Sequence, residues 1–228
     1  MNAEPFTLEA KEEMPDVITA PAYGTLDLRR ADCMDMMAEF PDGYFDLAIV
    51  DPPYGINAAK KHTGNGWVVR ETKDWDKEGP GADYFLELYR ISRNQIIWGA
   101  NYYPMHLPKS MGWIFWDKGQ RSFSLADGEL AFSSFNRALR VFEFARGKML
   151  TENDRFHPTQ KPVALYRWLL SNYAQPGQRI LDTHLGSGSH AIACYYAGMH
   201  LTACEIDEDY FKAASERIER ETAQTVLF

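Results

Sequence analysis

Short apolar runs alternate along this chain with longer amphipathic stretches, and several runs stop at residues that cannot continue a strand. The sharpest case is 46–55, DLAIVDPPYG, where four apolar residues meet an acid, two prolines and a tyrosine. Other runs lie at 95–100, 112–116, 129–135, 139–145, 179–183 and 200–206, with an alternating strand at 24–32. Helical periodicity falls between them, at 34–40, 82–92, 162–173, 188–197 and 208–221. Continuous apolar strands separated by helices predict an α/β fold of Rossmann-like type: a doubly wound, mostly parallel sheet covered on both faces.

Length narrows this to one domain. The 228 residues, 45% of them apolar, suit a single core over 24–223, with an N-terminal arm (1–23) and a short tail (224–228). Cys33, Cys194 and Cys204 form neither a disulfide framework nor a zinc quartet, so no metal is expected. No leader or membrane-length apolar run is read, and a cytoplasmic location is the expectation. Net charge is −8, which disfavours indiscriminate nucleic-acid binding; but residues 1–46 and 205–228 carry −8 and −4, leaving +4 in the middle. That centre has room for a phosphate-facing surface.

Ligands of such sheets bind beyond the carboxyl ends of the strands. One strand there runs into LDTHLGSGSHAIA (181–193), whose glycines permit a tight turn and a close backbone approach at a helix N-terminus. The pattern also fits a dinucleotide fingerprint, with Glu205 at the distance of a ribose-binding acid. A nicotinamide dehydrogenase is therefore an alternative, although only about 40 residues follow the glycines, too few for an unpermuted nucleotide-binding unit.

The other informative strand end is DPPY (51–54). Two prolines stop the hydrogen-bond ladder and hold the preceding residue extended, so Asp51 and the Pro52 carbonyl stand in a fixed relation as two acceptors. Two acceptors suit an exocyclic amine, and Tyr54 offers a ring on which a base would stack. The plainer reading is a turn with a capping acid and a packed tyrosine.

Together DPPY (51–54), HPTQKP (157–162), LDTHLGSGS (181–189), ACEID (203–207) and RADCMDMM (30–37) resemble the S-adenosylmethionine-dependent amino methyltransferases of DNA. The resemblance is to the bacterial and phage branch in which the catalytic segment precedes the cofactor segment. It implies a circularly permuted sheet, completed by the N-terminal strands. It also implies methyl transfer from S-adenosylmethionine to adenine N6 in flipped-out duplex DNA, with Asp51, Pro52, Pro53 and Tyr54 at the reacting amine. For the cofactor it implies Gly186, Gly188 and Ser189 along the methionine part and Asp182 near its amino group. Lys161, with His157, Thr159 and Gln160, would help hold the carboxylate, Glu205 the ribose and Asp32 the adenine side. The cofactor loop departs from the usual D-P-F, reading Thr183 and His184 after Asp182, so His184 would pack there in place of phenylalanine.

Target recognition is not spelled out. Loop 56–80, with Lys60, Lys61, Trp67 and Arg70, and segment 117–156, with Arg121, Arg137 and Arg140, are the expected DNA contacts. A cytosine-N4 enzyme is the nearest rival, and a silent DNA-binding module a more distant one. Whether the chain forms a homodimer, is phage-borne or belongs to a restriction-modification pair is left open. The tail, with Gln224, Leu227 and Phe228, resembles the short peptides that dock on bacterial sliding clamps; its alternative is to fold back on the domain.

Overall fold

The computed structural model describes residues 23–56, 76–121, 126–145 and 160–223. Among these residues eight strands form one sheet: β1 (Thr25–Arg30), β2 (Leu47–Val50), β3 (Gln95–Trp98), β4 (Gly112–Asp117), β5 (Gly128–Ser133), β6 (Arg140–Glu143), β7 (Arg179–Asp182) and β8 (His200–Glu205). The helices are α1 (Cys33–Ala38), α2 (Ala82–Ile91), α3 (Val163–Tyr173), α4 (Ser189–Tyr196) and α5 (Glu208–Ala223), and a 3₁₀ turn spans Ala100–Tyr102. The order across the sheet is β1-β8-β7-β2-β3-β5-β4-β6. The strands β1, β8, β7, β2 and β3 run parallel, while β5 pairs antiparallel with β3 and β4.

Side chains alternate between two cores, as a sheet covered on both faces requires. Leu47 and Ile49 of β2, with Ile96 and Trp98 of β3, join Leu165 and Leu169 of α3 and Ile192 of α4. Ala48, Val50 and Ile97 point the other way, toward Met36 and Met37 of α1 and Phe85 and Leu88 of α2. Each such fully buried aliphatic or aromatic side chain contributes roughly 1.5–3 kcal/mol of transfer free energy, which fixes the register from both sides.

The chain leaves β2 toward β3 on one side, whereas it leaves β7 toward β8 on the other, with β1 beyond β8 in the sheet. The connections after β7 and β2 therefore diverge between adjacent strands and open a crevice, as at any topological switch point. The N-terminal strand completes the far edge, with Thr25–Arg30 in parallel register on His200–Glu205.

Candidate active site

The crevice is a cavity of about 300 Å³. One wall is the turn after β2, with Asp51 and Pro53; opposite it lies the loop after β7, from Thr183 to Ser187, with Ser189. Glu205 and Ile206 after β8, Asp32 and Cys33 at the start of α1, and Gln160 and Lys161 before α3 close the remaining sides. Motifs far apart in sequence thus meet because all follow parallel strands or open the neighbouring helices.

At the amine side, Asp51 is held from both carboxylate oxygens. Tyr54 Oη donates to Oδ1 at 2.6 Å, and the buried Lys161 ammonium donates to Oδ2. Burial pushes the Asp51 carboxyl above its ordinary pKa and Glu129 adds to this, while Lys161 opposes it. The Tyr54 ring stacks on Tyr102, with centroids 5.0 Å apart and planes 18° from parallel. It also lies against the backbone at Gly99, where φ is +69° and a Cβ would come within 2.2 Å of the ring. Only glycine accommodates both the conformation and the approach.

The Pro52 carbonyl, expected to stand free of regular structure, is claimed by Tyr103, whose hydroxyl lies 3.1 Å from it and also contacts the Pro53 carbonyl. A carbonyl cut from the ladder by proline still needs a donor when buried, and a tyrosine from the following turn supplies it. No motif in the sequence marks Tyr103, Tyr102 or Glu129 as part of the site. The signal for Glu129 was an acid inside an otherwise apolar strand.

At the glycine loop, Gly186 and Gly188 take positive φ of 53° and 76°. The Glu205 carboxylate accepts the Gly186 N–H at 3.0 Å and the Asp207 N–H at 3.0 Å, tying the loop to the end of β8. Its pKa is raised, chiefly by burial. Asp32 caps α1 by accepting the Met34 N–H at 2.7 Å and lines the cavity. Asp182 is turned inward: one oxygen accepts the His184 N–H at 3.0 Å and the other pairs with His190 Nδ1 at 2.9 Å. The resemblance puts this carboxylate near the cofactor amine; in the structure it is buried on His184 and His190 and is not among the cavity walls. His184 does line the cavity, bonded to Thr183 Oγ1 at 2.8 Å and edge-on to Tyr84. Burial lowers its pKa to about 4, so the ring is neutral at pH 7. Thr183 in turn bonds Tyr84 Oη at 2.7 Å.

The expected DNA contacts are less concentrated. Arg121 is exposed and paired with Asp117 at 2.7 Å. Arg137 lies beyond the end of β5, away from the crevice, over the Phe135 and Tyr173 rings with Nη1 2.5 Å from the Asn172 carbonyl. Arg140 opens β6, the edge strand, four strands from β2. Lys60, Lys61, Trp67, Arg70, His157, Thr159 and the tail residues Gln224, Leu227 and Phe228 lie outside the described residues. Among the described residues no group of His, Cys, Asp or Glu is arranged to hold a metal ion, and no helix is long and apolar enough to cross a membrane.

Comparison with known proteins agrees with this arrangement. Residues 136–216 match the N6/N4 methyltransferase family, described as DNA methylase. Over 215 residues the chain is 24% identical to YubD of Escherichia coli (strain K12), named as a methylase, covering 83% of this chain and 88% of that one. It is 23% identical, also over 215 residues, to the type II methyltransferase M.HpaI of Haemophilus parainfluenzae, covering 77% and 68%. Its fold matches the M1.HpyAVI–SAM complex (TM-score 0.55, 17% identity, 85% of this chain and 99% of that). It also matches the cytosine-N4-specific PvuII DNA methyltransferase (TM-score 0.57, 14% identity, 89% and 93%). The architecture is that of methyltransferase structures, and over 136–216 the sequence is similar to the N6/N4 DNA methylases, with distant similarity along most of the chain to DNA modification methyltransferases.

Proposed function

We propose that this chain methylates the N6 amine of adenine in duplex DNA, with S-adenosylmethionine as the methyl donor. The observation that carries the reading is the placement of Asp51, at the end of β2, across one cavity from the glycine loop and Glu205.

The cavity suits the cofactor. Its volume is at the lower end of the range for small-molecule sites. Gln160 is buried and lines the cavity, and its side-chain oxygen has no partner among the described residues. Each Glu205 oxygen accepts one backbone N–H and has a further lone pair for a ribose hydroxyl. Gly186 presents no side chain to the cavity, Asp32 and His184 border it, and Gly188 instead gives room to Ile218, which a Cβ would approach within 2.8 Å. When bound, the cofactor supplies an electrophilic methyl group on a sulfonium.

The protein's share is positioning and acceptance. An exocyclic amine is a weak nucleophile because its lone pair is delocalised into the ring. Accepting its N–H hydrogens at Asp51 and at the lone pair of the Pro52 carbonyl that Tyr103 leaves open would make the nitrogen more pyramidal and its lone pair more available. With the cofactor bound, a new N–C bond would replace the S–C bond with its electron pair left on sulfur, and Asp51 would accept the proton that the nitrogen gives up and pass it to solvent. Fixed acceptors in a water-poor site account for the rate without a covalent protein nucleophile. The reacting base reaches this depth only after rotating out of the helix.

Asp at the head of DPPY favours adenine, and cytosine N4 is the rival, since it presents the same two amine hydrogens. Expression in a methylation-deficient host, followed by modification-aware sequencing, gives base, atom and site together. Methyl marks on adenine N6, absent with Asp51→Ala, are the expected result. Marks on cytosine N4 would transfer the assignment to the rival, and none on either base would reject both.

A further inference from the structure

We propose that Glu129 is a positioning residue for Asp51, acting through the ammonium of Lys161. The inference rests on the methyl-transfer reading above and extends it to a residue outside the motifs.

Glu129 sits near the start of β5, two strands across the sheet from β2. Its Oε2 lies 3.1 Å from Lys161 Nζ and 3.5 Å from Tyr54 Oη, and its Oε1 lies 2.5 Å from Lys118 Nζ. Lys161 Nζ also bonds Asp51 Oδ2 and lies 3.3 Å from Tyr54 Oη. Four charges therefore alternate in a row, Lys118, Glu129, Lys161 and Asp51, and sum to zero. Asp51 and Lys161 line the cavity, whereas Glu129 is not among its walls, so any effect on the amine passes through its neighbours.

The arrangement matters because Asp51 has two demands on it. It must be held still, and it must remain a strong acceptor. A private Lys161–Asp51 pair would meet the first demand and weaken the second, since the ammonium would compensate the carboxylate in a medium that screens little. Sharing the ammonium with Glu129 divides that compensation. Glu129 also takes up ammonium hydrogens that would otherwise be unsatisfied in a buried site, so the Lys161 ammonium is held between the two acids. Lys118 offsets the second acid: burial opposes the Glu129 charge, but Lys161 and Lys118 outweigh it and hold its pKa at about 2. The group is thus built to stay ionised.

The groups facing Asp51 are Tyr54 on its own turn, Lys161 and Tyr166 from the α3 side, Glu129 from β5 and Tyr103 from the 3₁₀ turn. Of these, Glu129 raises the Asp51 pKa and Lys161 lowers it. Replacing Glu129 by its neutral isostere removes a like charge and leaves Lys161 to Asp51 alone, and both changes lower the pKa of Asp51.

The test compares wild type, Glu129→Gln and Glu129→Asp by carboxylate ¹³C NMR titration and by methyl-transfer kinetics. In Glu129→Gln the Asp51 midpoint should fall by about half a unit or more, and the acid limb of the rate profile should move down with it. Its kcat should fall about tenfold with cofactor affinity unchanged, and Glu129→Asp should recover part of the loss. A folded Glu129→Gln whose Asp51 midpoint stays in place overturns the proposal, as does a Glu129→Asp midpoint no closer to wild type than that of the glutamine variant. The titration needs no DNA, so it decides the coupling even if wild type methylates nothing, an outcome that would count against the proposed function itself.

Discussion

Tyr103 Oη lies 3.1 Å from the carbonyl oxygen of Pro52 and also contacts that of Pro53, so one phenol on the turn after β3 clamps the turn after β2. Tyr103 is itself buried, edge-on to Tyr54 and tilted against Phe85. Tyr103→Phe keeps the ring and deletes the donor, leaving two carbonyls to find water in a packed site. The expected loss is about 1–3 kcal/mol in denaturant unfolding, with a lower kcat and little change in cofactor affinity. Unaltered stability would show that those carbonyls are satisfied by other means.

The pair of His190 and Asp182 makes stability depend on pH. Burial disfavours the imidazolium, but Cys194 and the hydrogen bond to Asp182 outweigh it and raise the His190 pKa to about 10. A base with a raised folded-state pKa contributes stability that is complete below its unfolded value, about 6.5, and lost as pH climbs through about 10. Wild type should therefore show a falling urea midpoint between pH 7 and 10. His190→Gln should flatten that slope and cost about 3–5 kcal/mol at pH 6.5, because Asp182 is left charged and buried without its partner. An equal slope in both proteins would remove the pair from the account.

Glu205 ties the glycine loop to the end of β8 through its bond to the Gly186 N–H. Glu205→Ala deletes this brace and the acceptor proposed for the ribose. S-adenosylmethionine affinity by calorimetry should fall by about 1–3 kcal/mol, and Glu205→Gln should fall between the alanine variant and wild type. Undiminished affinity in the alanine variant would take Glu205 out of the cofactor site.

How much of this was legible in the sequence follows from which forces are local. Among the described residues periodicity placed each strand and helix core, because a sheet buried on both faces leaves runs such as Leu47–Val50 and Gln95–Trp98 uninterrupted in sequence. The antiparallel insertion of β5 between β3 and β4 was not legible, since pairing partners are chosen by packing at a distance. The glycine loop, Asp51 and Glu205 were legible as motifs at strand ends. Tyr103 and His190 were not, and Glu129 showed only as an acid in an apolar strand, because each acquires its role from a partner 8 to 51 positions away, such as Asp182 or Pro52. The inward turn of Asp182 follows from His190, which no pattern at the loop announced.

Gly99 couples backbone conformation directly to the reacting amine's pocket. It follows β3 with φ of +69°, and a Cβ there would come within 2.2 to 2.7 Å of three Tyr54 ring atoms. Tyr54 has no easy retreat, because Tyr102 stacks on its ring and its hydroxyl is bonded to Asp51 at 2.6 Å. Gly99→Ala therefore carries two costs. The left-handed conformation disfavours alanine by about 1 kcal/mol, and the clash adds a further share, typically about 1–3 kcal/mol for overpacking. The ring must tilt to make room, and its hydroxyl then leaves Asp51 Oδ1. Methyl transfer should fall by about tenfold or more while S-adenosylmethionine affinity holds, because Gly99 and Tyr54 are not among the walls of the cavity that contains Glu205 and the glycine loop. Combining Gly99→Ala with Tyr54→Phe removes the bond the clash would break, so the double variant should lose less than the product of the two single losses. Strictly multiplicative losses would mean that Gly99 acts on the site by some route other than Tyr54.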